Sequence, residues 1–257
     1  EARRRLEVCP AAYRDWEWSH LDLTLDPSLL TLVGHTSSVN RVAWNPAGTQ
    51  LASSSSDGTL RIWDATTSET VHELNTHTDW VRALAWNPSG TLLASGSGDG
   101  TLHIWDTATG ERVRELTGHT EGIWEVAWDS SGTLLASSSH DCTLRVWDAV
   151  TGEGVREWTV HSEQIISFAW HPSEPLLASG SGDGTLHIWG ASTGKTVLAL
   201  TGHSDGIRDV AWNPLGTQLA SSSDDGTLRI WDATTGESVV EFKGLRGFGG
   251  ELAWSPS

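Results

Sequence analysis

The chain has 257 residues, room for one large domain or two small ones, and its 33 acidic against 16 basic residues give a net charge of −17. Such a balance argues against binding a phosphate backbone, which rewards neutralised phosphates, and against an anionic membrane surface. No apolar run is long enough to span a bilayer, and the only two thiols, Cys9 and Cys142, are too far apart to suggest a disulfide framework, so a reducing cytoplasm is the expected setting.

The chain opens at Glu1 and contains no Met, so a longer gene product is expected. Residues 1–26 read as an N-terminal extension, with EARRRLEV and AAYRDWEWSHL as short helices. The alternative is a worn copy of the repeat that follows. Shifted by 84 residues, DWEWSHLD (15–22) lies over DGTLHIWD (99–106) and aligns Asp15 with Asp99 and Asp22 with Asp106. Against that copy, Leu21 replaces a Trp, Pro10 falls inside a strand, and Ala11 stands where Ser95 does.

Residues 27–257 read as one repeat domain. LLTLV (29–33) is predicted as an outer strand. Next, VNRVAW (39–44) is apolar on both faces, NPAG turns the chain, and QLASSS forms a second strand. After the tight SDG turn, TLRIWD alternates with Leu60 and Ile62 on one face, and ETVHEL forms a more polar fourth strand. The unit then repeats: Trp44, Trp86, Trp128, Trp170, Trp212 and Trp254 are spaced 42 residues apart, as are His35, His77, His119, His161 and His203. Four-stranded sheets of this length cannot bury their own faces, and stacking them radially gives them a shared core. The predicted fold is all-β: a β-propeller of four-stranded antiparallel blades, five complete and a sixth begun by AWSPS (253–257).

GHTSSVNRVAWNPAGTQLASSSSDGTLRIWD (34–64) resembles a unit of the WD-repeat (Trp-Asp repeat) β-propeller family from end to end. ARRRLEVCP followed by DWEWSHL resembles the segment that joins upstream domains to the propeller of large bacterial WD-repeat signalling proteins. That likeness implies a seven-bladed ring drawing on further sequence.

Each unit carries His, Ser, Asp and Trp at fixed offsets: His35, Ser53, Asp57, Trp63; His77, Ser95, Asp99, Trp105; His119, Ser137, Asp141, Trp147; His161, Ser179, Asp183, Trp189; His203, Ser221, Asp225, Trp231. Ser, His and Asp suggest a nucleophilic triad, but an active site is not built five times around a ring. The family resemblance implies a structural chain instead, in which the indole donates to Ser, Ser engages His, and His engages Asp. No catalytic residue, metal site or cofactor is expected. His103 and His187 are predicted on solvated or interface faces. Cys142 replaces the turn glycine found as Gly58, Gly100, Gly184 and Gly226, and is expected to strain the backbone there.

Function is expected where side chains vary against the constant scaffold. The family resemblance points to the rim carrying the His and Asp turns, at three and five residues after the His and one before the Asp. These offsets give Ser38, Asn40 and Ser56; Trp80, Arg82 and Gly98; Gly122, Trp124 and His140; Gln164, Ile166 and Gly182; Gly206, Arg208 and Asp224. Trp80, Arg82, Trp124, His140, Gln164, Ile166, Arg208 and Asp224 are the predicted partner-binding residues, for an acidic or amphipathic protein or peptide. Phe248 takes the first of these places in the unfinished unit. The alternative is a self-assembly module, whose near-identical blades complete a ring with another chain or with further sequence.

Overall fold

A computed structural model describes residues 31–75, 77–159, 161–244 and 252–255. The expectations for residues 1–26 and Phe248 lie outside these residues. Backbone contacts divide the chain into two units, Glu1–Val33 and Gly34–Ser257, and all the blades lie in the second.

The first blade comprises β1 (Val39–Trp44), β2 (Gln50–Ser55), β3 (Leu60–Asp64) and β4 (Thr70–Leu74). The second holds β5 (Val81–Trp86), β6 (Leu92–Ser97), β7 (Leu102–Asp106) and β8 (Arg112–Leu116). In the third are β9 (Ile123–Trp128), β10 (Leu134–Ser139), β11 (Leu144–Asp148) and β12 (Gly154–Trp158). The fourth contains β13 (Ile165–Trp170), β14 (Leu176–Ser181), β15 (Leu186–Gly190) and β16 (Thr196–Leu200). The fifth contains β17 (Ile207–Trp212), β18 (Gln218–Ser223), β19 (Thr227–Asp232) and β20 (Ser238–Lys243). Every blade is an antiparallel meander in chain order, and no helix occurs among the described residues. Thr31–Val33, within the predicted outer strand, carries no strand assignment.

The core lies between blades rather than within them. Ala52, Leu60, Ile62 and Leu74 of the first blade share one cluster with Val81, Leu84, Leu93 and Trp105 of the second, and three further clusters join the later pairs. Leu60 and Ile62 are fully buried, each stabilising the junction by about 1.5–3 kcal/mol. A polar staple recurs at each junction. The indoles of Trp86, Trp128, Trp170, Trp212 and Trp254 donate to the carbonyls of Ala43, Ala85, Ala127, Ala169 and Ala211 at 2.9–3.1 Å. Trp254 thus begins the sixth unit with the same bond as the others. On β1, by contrast, Val39, Val42 and Trp44 are 51–61% exposed, because no described blade packs there.

Two blade types alternate. The first, third and fifth pair Arg61, Arg145 and Arg229 with Glu73, Glu157 and Glu241 across their outer strands at 2.7–3.0 Å. In these blades the residue before the network His is Gly34, Gly118 or Gly202, where a Cβ would fall within 2.5–2.9 Å of the Arg guanidinium. The second and fourth blades carry His103 and His187 instead of Arg, and their second strands contain Gly96 and Gly180. A Cβ on either would lie 2.4 Å from Ile123 or Ile207 of the following blade.

Of the solvated or interface face expected for His103, the structure overturns the solvated alternative. It is 2% exposed and stacks on His77 with ring centroids 4.0 Å apart, while Arg112 Nη1 donates to its Nε2 at 3.1 Å. Simple strand alternation places it outward, but the His77 ring stacks upon it and the Arg112 guanidinium caps its Nε2. His187 is half-buried and meets His161 edge to face at 5.0 Å.

Cys142 has φ 63°, the conformation its glycine counterparts adopt at 77–82°. Cys142→Gly is expected to raise stability by about 0.5–1 kcal/mol, read as a higher urea midpoint. Burial, with Asp141 and Glu121 nearby, pushes its thiol pKa up, which disfavours the reactive thiolate.

Candidate functional site

The repeated polar residues form five closed chains. The Trp63, Trp105, Trp147, Trp189 and Trp231 indoles donate to Ser53, Ser95, Ser137, Ser179 and Ser221 at 2.8–2.9 Å. Each Ser hydroxyl meets Nε2 of His35, His77, His119, His161 or His203 at 2.7–2.8 Å. Nδ1 then faces Asp57, Asp99, Asp141 and Asp225 at 2.9–3.4 Å. An indole can only donate and a carboxylate only accept, so the protons run Trp to Ser to His to Asp. In the fourth chain Nδ1 of His161 bonds Thr185 Oγ1 at 2.9 Å, and Asp183 stands off at 3.6 Å.

Sequence reasoning misses a fifth member. Thr59, Thr101, Thr143, Thr185 and Thr227 donate to the turn Asp at 2.6–2.7 Å. The signal was available as a Thr two residues after every Asp. These bonds set the charge state. Burial alone would raise the Asp99 pKa, but hydrogen bonds from Thr101 and Thr78 with the neighbouring His77 carry it down to about 2. Burial drives His161 down to about 4, with Asp183 only partly opposing it. A neutral imidazole and an ionised carboxylate are what the chain of donors requires. Each of these five serine hydroxyls is engaged by both its indole and its imidazole.

The varied residues gather on the rim above these chains. Trp80 lies flat on Gly98 and Gly122, where added Cβ atoms would fall 2.5 and 3.2 Å from its ring. His140 sits edge-on to Trp80 at 6.4 Å and to Trp124 at 4.8 Å, and the Arg82 guanidinium lies 3.5 Å over the Trp124 ring. These four residues form one continuous surface across the second and third blades. Arg208 and Asp224 form a separate forked pair on the fifth, with Nε 2.8 Å from both carboxylate oxygens. Gln164 contributes its backbone carbonyl to Gly182 and Ser181, and Ile166 is 9% exposed beside the channel.

The inner strands enclose a cavity of about 630 Å³ at the centre. Arg82, Trp124, Ile166 and Arg208 line it with Arg41, Glu125 and Asp209, whereas Trp80, His140, Gln164 and Asp224 stand outside it. Among the described residues, no group of three His, Cys, Asp or Glu converges to hold a metal ion.

The sequence profile of the WD domain, G-beta repeat family matches residues 27–64, 68–106, 110–148, 152–190 and 194–232, roughly three quarters of the chain. The chain belongs to the WD-repeat family. Its five matched WD repeats each end on the last residue of a blade's third strand, so the first four blades take their outer strand from the following repeat, and β20 of the fifth lies beyond the last match. One WD-repeat relative, the WD40 repeat-containing protein HOS15 of Arabidopsis thaliana, is 48% identical over 44 residues. That match spans 17% of this chain and 7% of the relative, about one WD repeat.

Proposed function

We propose that this WD-repeat propeller is a non-enzymatic scaffold or sensor that holds a protein or peptide on the rim carrying the His and Asp turns. The observation that carries this reading is the Trp80–His140–Trp124–Arg82 surface. Blades of one type could carry identical rims, yet these side chains differ while the buried chains beneath them stay constant. Large aromatic and Arg side chains are those that most often anchor interfaces. An acidic or amphipathic segment suits them, since indole faces cover apolar groups and a guanidinium takes a carboxylate. The low thiol content supports a cytoplasmic setting.

The test is selection of peptides from a random displayed library on the full chain, followed by titration of the double variant Trp80→Ala/Trp124→Ala. Affinity is expected to fall about 30-fold or more, with the thermal midpoint lower by at most about 4 °C. Unchanged affinity would remove this surface from consideration.

The exposed Val39, Val42 and Trp44 of β1 favour a second reading, in which a blade of another chain packs there. Light scattering that gives the 27.7 kDa mass of a single chain at micromolar concentration would dismiss it.

A further inference from the structure

The rim offsets are paired. The residue five after the network His faces the residue one before the turn Asp. In the first blade Ser56 donates to Asn40 at 3.1 Å. In the third, Trp124 meets His140, and in the fifth, Arg208 forks onto Asp224. These are the three blades of one type. In the second blade the partner of Arg82 is Gly98, which offers no side chain and is roofed by the Trp80 ring. Asp224 therefore has no counterpart for Arg82, although the fifth blade shows that the same offsets accommodate an Arg–Asp pair.

Arg82 is held by other means. Its guanidinium stacks on Trp124 and lines the central cavity beside Arg41. No described carboxylate pairs with it. The acids that share the cavity are engaged elsewhere. Glu125 meets Arg41 at 3.4 Å and accepts the Phe168 amide at 3.1 Å. Asp209 accepts Ser167 Oγ at 2.7 Å, the Val210 amide at 2.9 Å and the Leu252 amide. Burial and the positive charge of Arg41 depress the Arg82 pKa, yet a guanidinium remains protonated. The result is a cation at the cavity mouth, fixed by stacking and with no counter-ion among the described residues, on a chain of net charge −17. A stacked, planar donor fork loses little freedom when it takes up a carboxylate.

We infer that Arg82 is the anchor for a Glu or Asp side chain of an extended peptide, whose carboxylate enters the mouth of the channel between Arg82 and Arg41 while its neighbouring residues lie on Trp80 and Trp124. This rests on the rim reading above and narrows it to one ligand group at one atom set. The carboxylate occupies, from outside, the role that Asp224 fills for Arg208.

Two displayed libraries of nine-residue peptides test it, one with Glu and one with Gln fixed at the centre, both selected on the full chain. The Glu library is expected to yield binders. Each should lose about 10-fold or more in affinity on Arg82→Gln, and about as much when its own central Glu becomes Gln on the unaltered protein. Arg82→Lys should retain part of the affinity, since it keeps charge without the fork. Binders without an acidic residue that are indifferent to Arg82→Gln but lost on Trp80→Ala/Trp124→Ala would overturn the carboxylate anchor and leave the rim reading standing. Failure of both libraries would overturn both. The peptide-side substitution keeps the test valid if Arg82→Gln fails to fold.

Discussion

Stability is expected to fall steadily as pH drops from 6.5 toward 4, well before carboxylates protonate in bulk. His103 and His161 are 2% and 5% exposed, and burial depresses their pKa values to about 3 and about 4. For His103 the nearby His77 and Arg112 charges add to burial; for His161 the His187 charge adds while Asp183 opposes. An unfolded histidine titrates near 6.5. Below that pH the unfolded chain takes up protons that the native chain refuses, so acid favours unfolding. Each such histidine contributes up to about 1.4 kcal/mol per pH unit, and two of them give a loss on the order of 5 kcal/mol between pH 6.5 and 4.5. His77, His187 and His203 are shifted in the same direction and add to it. Asp99 and Asp183, near 2 in the native chain, contribute stability that is complete above about pH 4 and disappears as pH falls toward 2. Urea midpoints at pH 7.5, 6.5, 5.5 and 4.5 measure the slope. His103→Gln should flatten it by about one proton. A curve flat to pH 4.5 contradicts the neutral, buried state of these rings.

Ser137→Ala is expected to destabilise by about 2–4 kcal/mol, lowering the thermal midpoint by about 5–15 °C. The hydroxyl is fully buried and serves two partners at once, the Trp147 indole and His119 Nε2, both at 2.8 Å. Removing it leaves a buried N–H without an acceptor and a ring nitrogen without a donor, and desolvation of each is then uncompensated. The adjacent Ser138→Ala is the control. Its hydroxyl is equally buried but has no hydrogen-bond partner, so its loss should be neutral or slightly stabilising. Differential scanning calorimetry of the two variants separates a network effect from a volume effect. Equal midpoints for both would deny the Ser137 chain its structural role.

The blades were legible in the sequence because each registers twice, as strand alternation within a unit and as a 42-residue period between units. VNRVAW and QLASSS are β1 and β2 to the residue. The network members were legible for the same reason, since five copies fix the offsets. What escaped was set by contacts across the sheet. The burial of His103 was hidden because alternation along β7 cannot show that His77 stacks upon it. Gly34, Gly118 and Gly202 accompany Arg61, Arg145 and Arg229 in the sequence, but only the close approach of each guanidinium to its glycine explains the pairing. On the rim, the eight residues named from offsets divide in space. Trp80, Arg82, Trp124 and His140 join, while Arg208 is occupied by Asp224. No offset reveals that a Gly at 98 leaves Arg82 without the acid that its counterpart has.

Hydrogen–deuterium exchange of the full chain, with and without a selected peptide, tests the rim most directly. Protection is expected at the amides of Thr78–Arg82, Gly98, Gly122–Trp124 and His140. Protection confined to the opposite edge, at the turns Asp64–Glu69, Asp106–Glu111 and Asp148–Glu153, would contradict it.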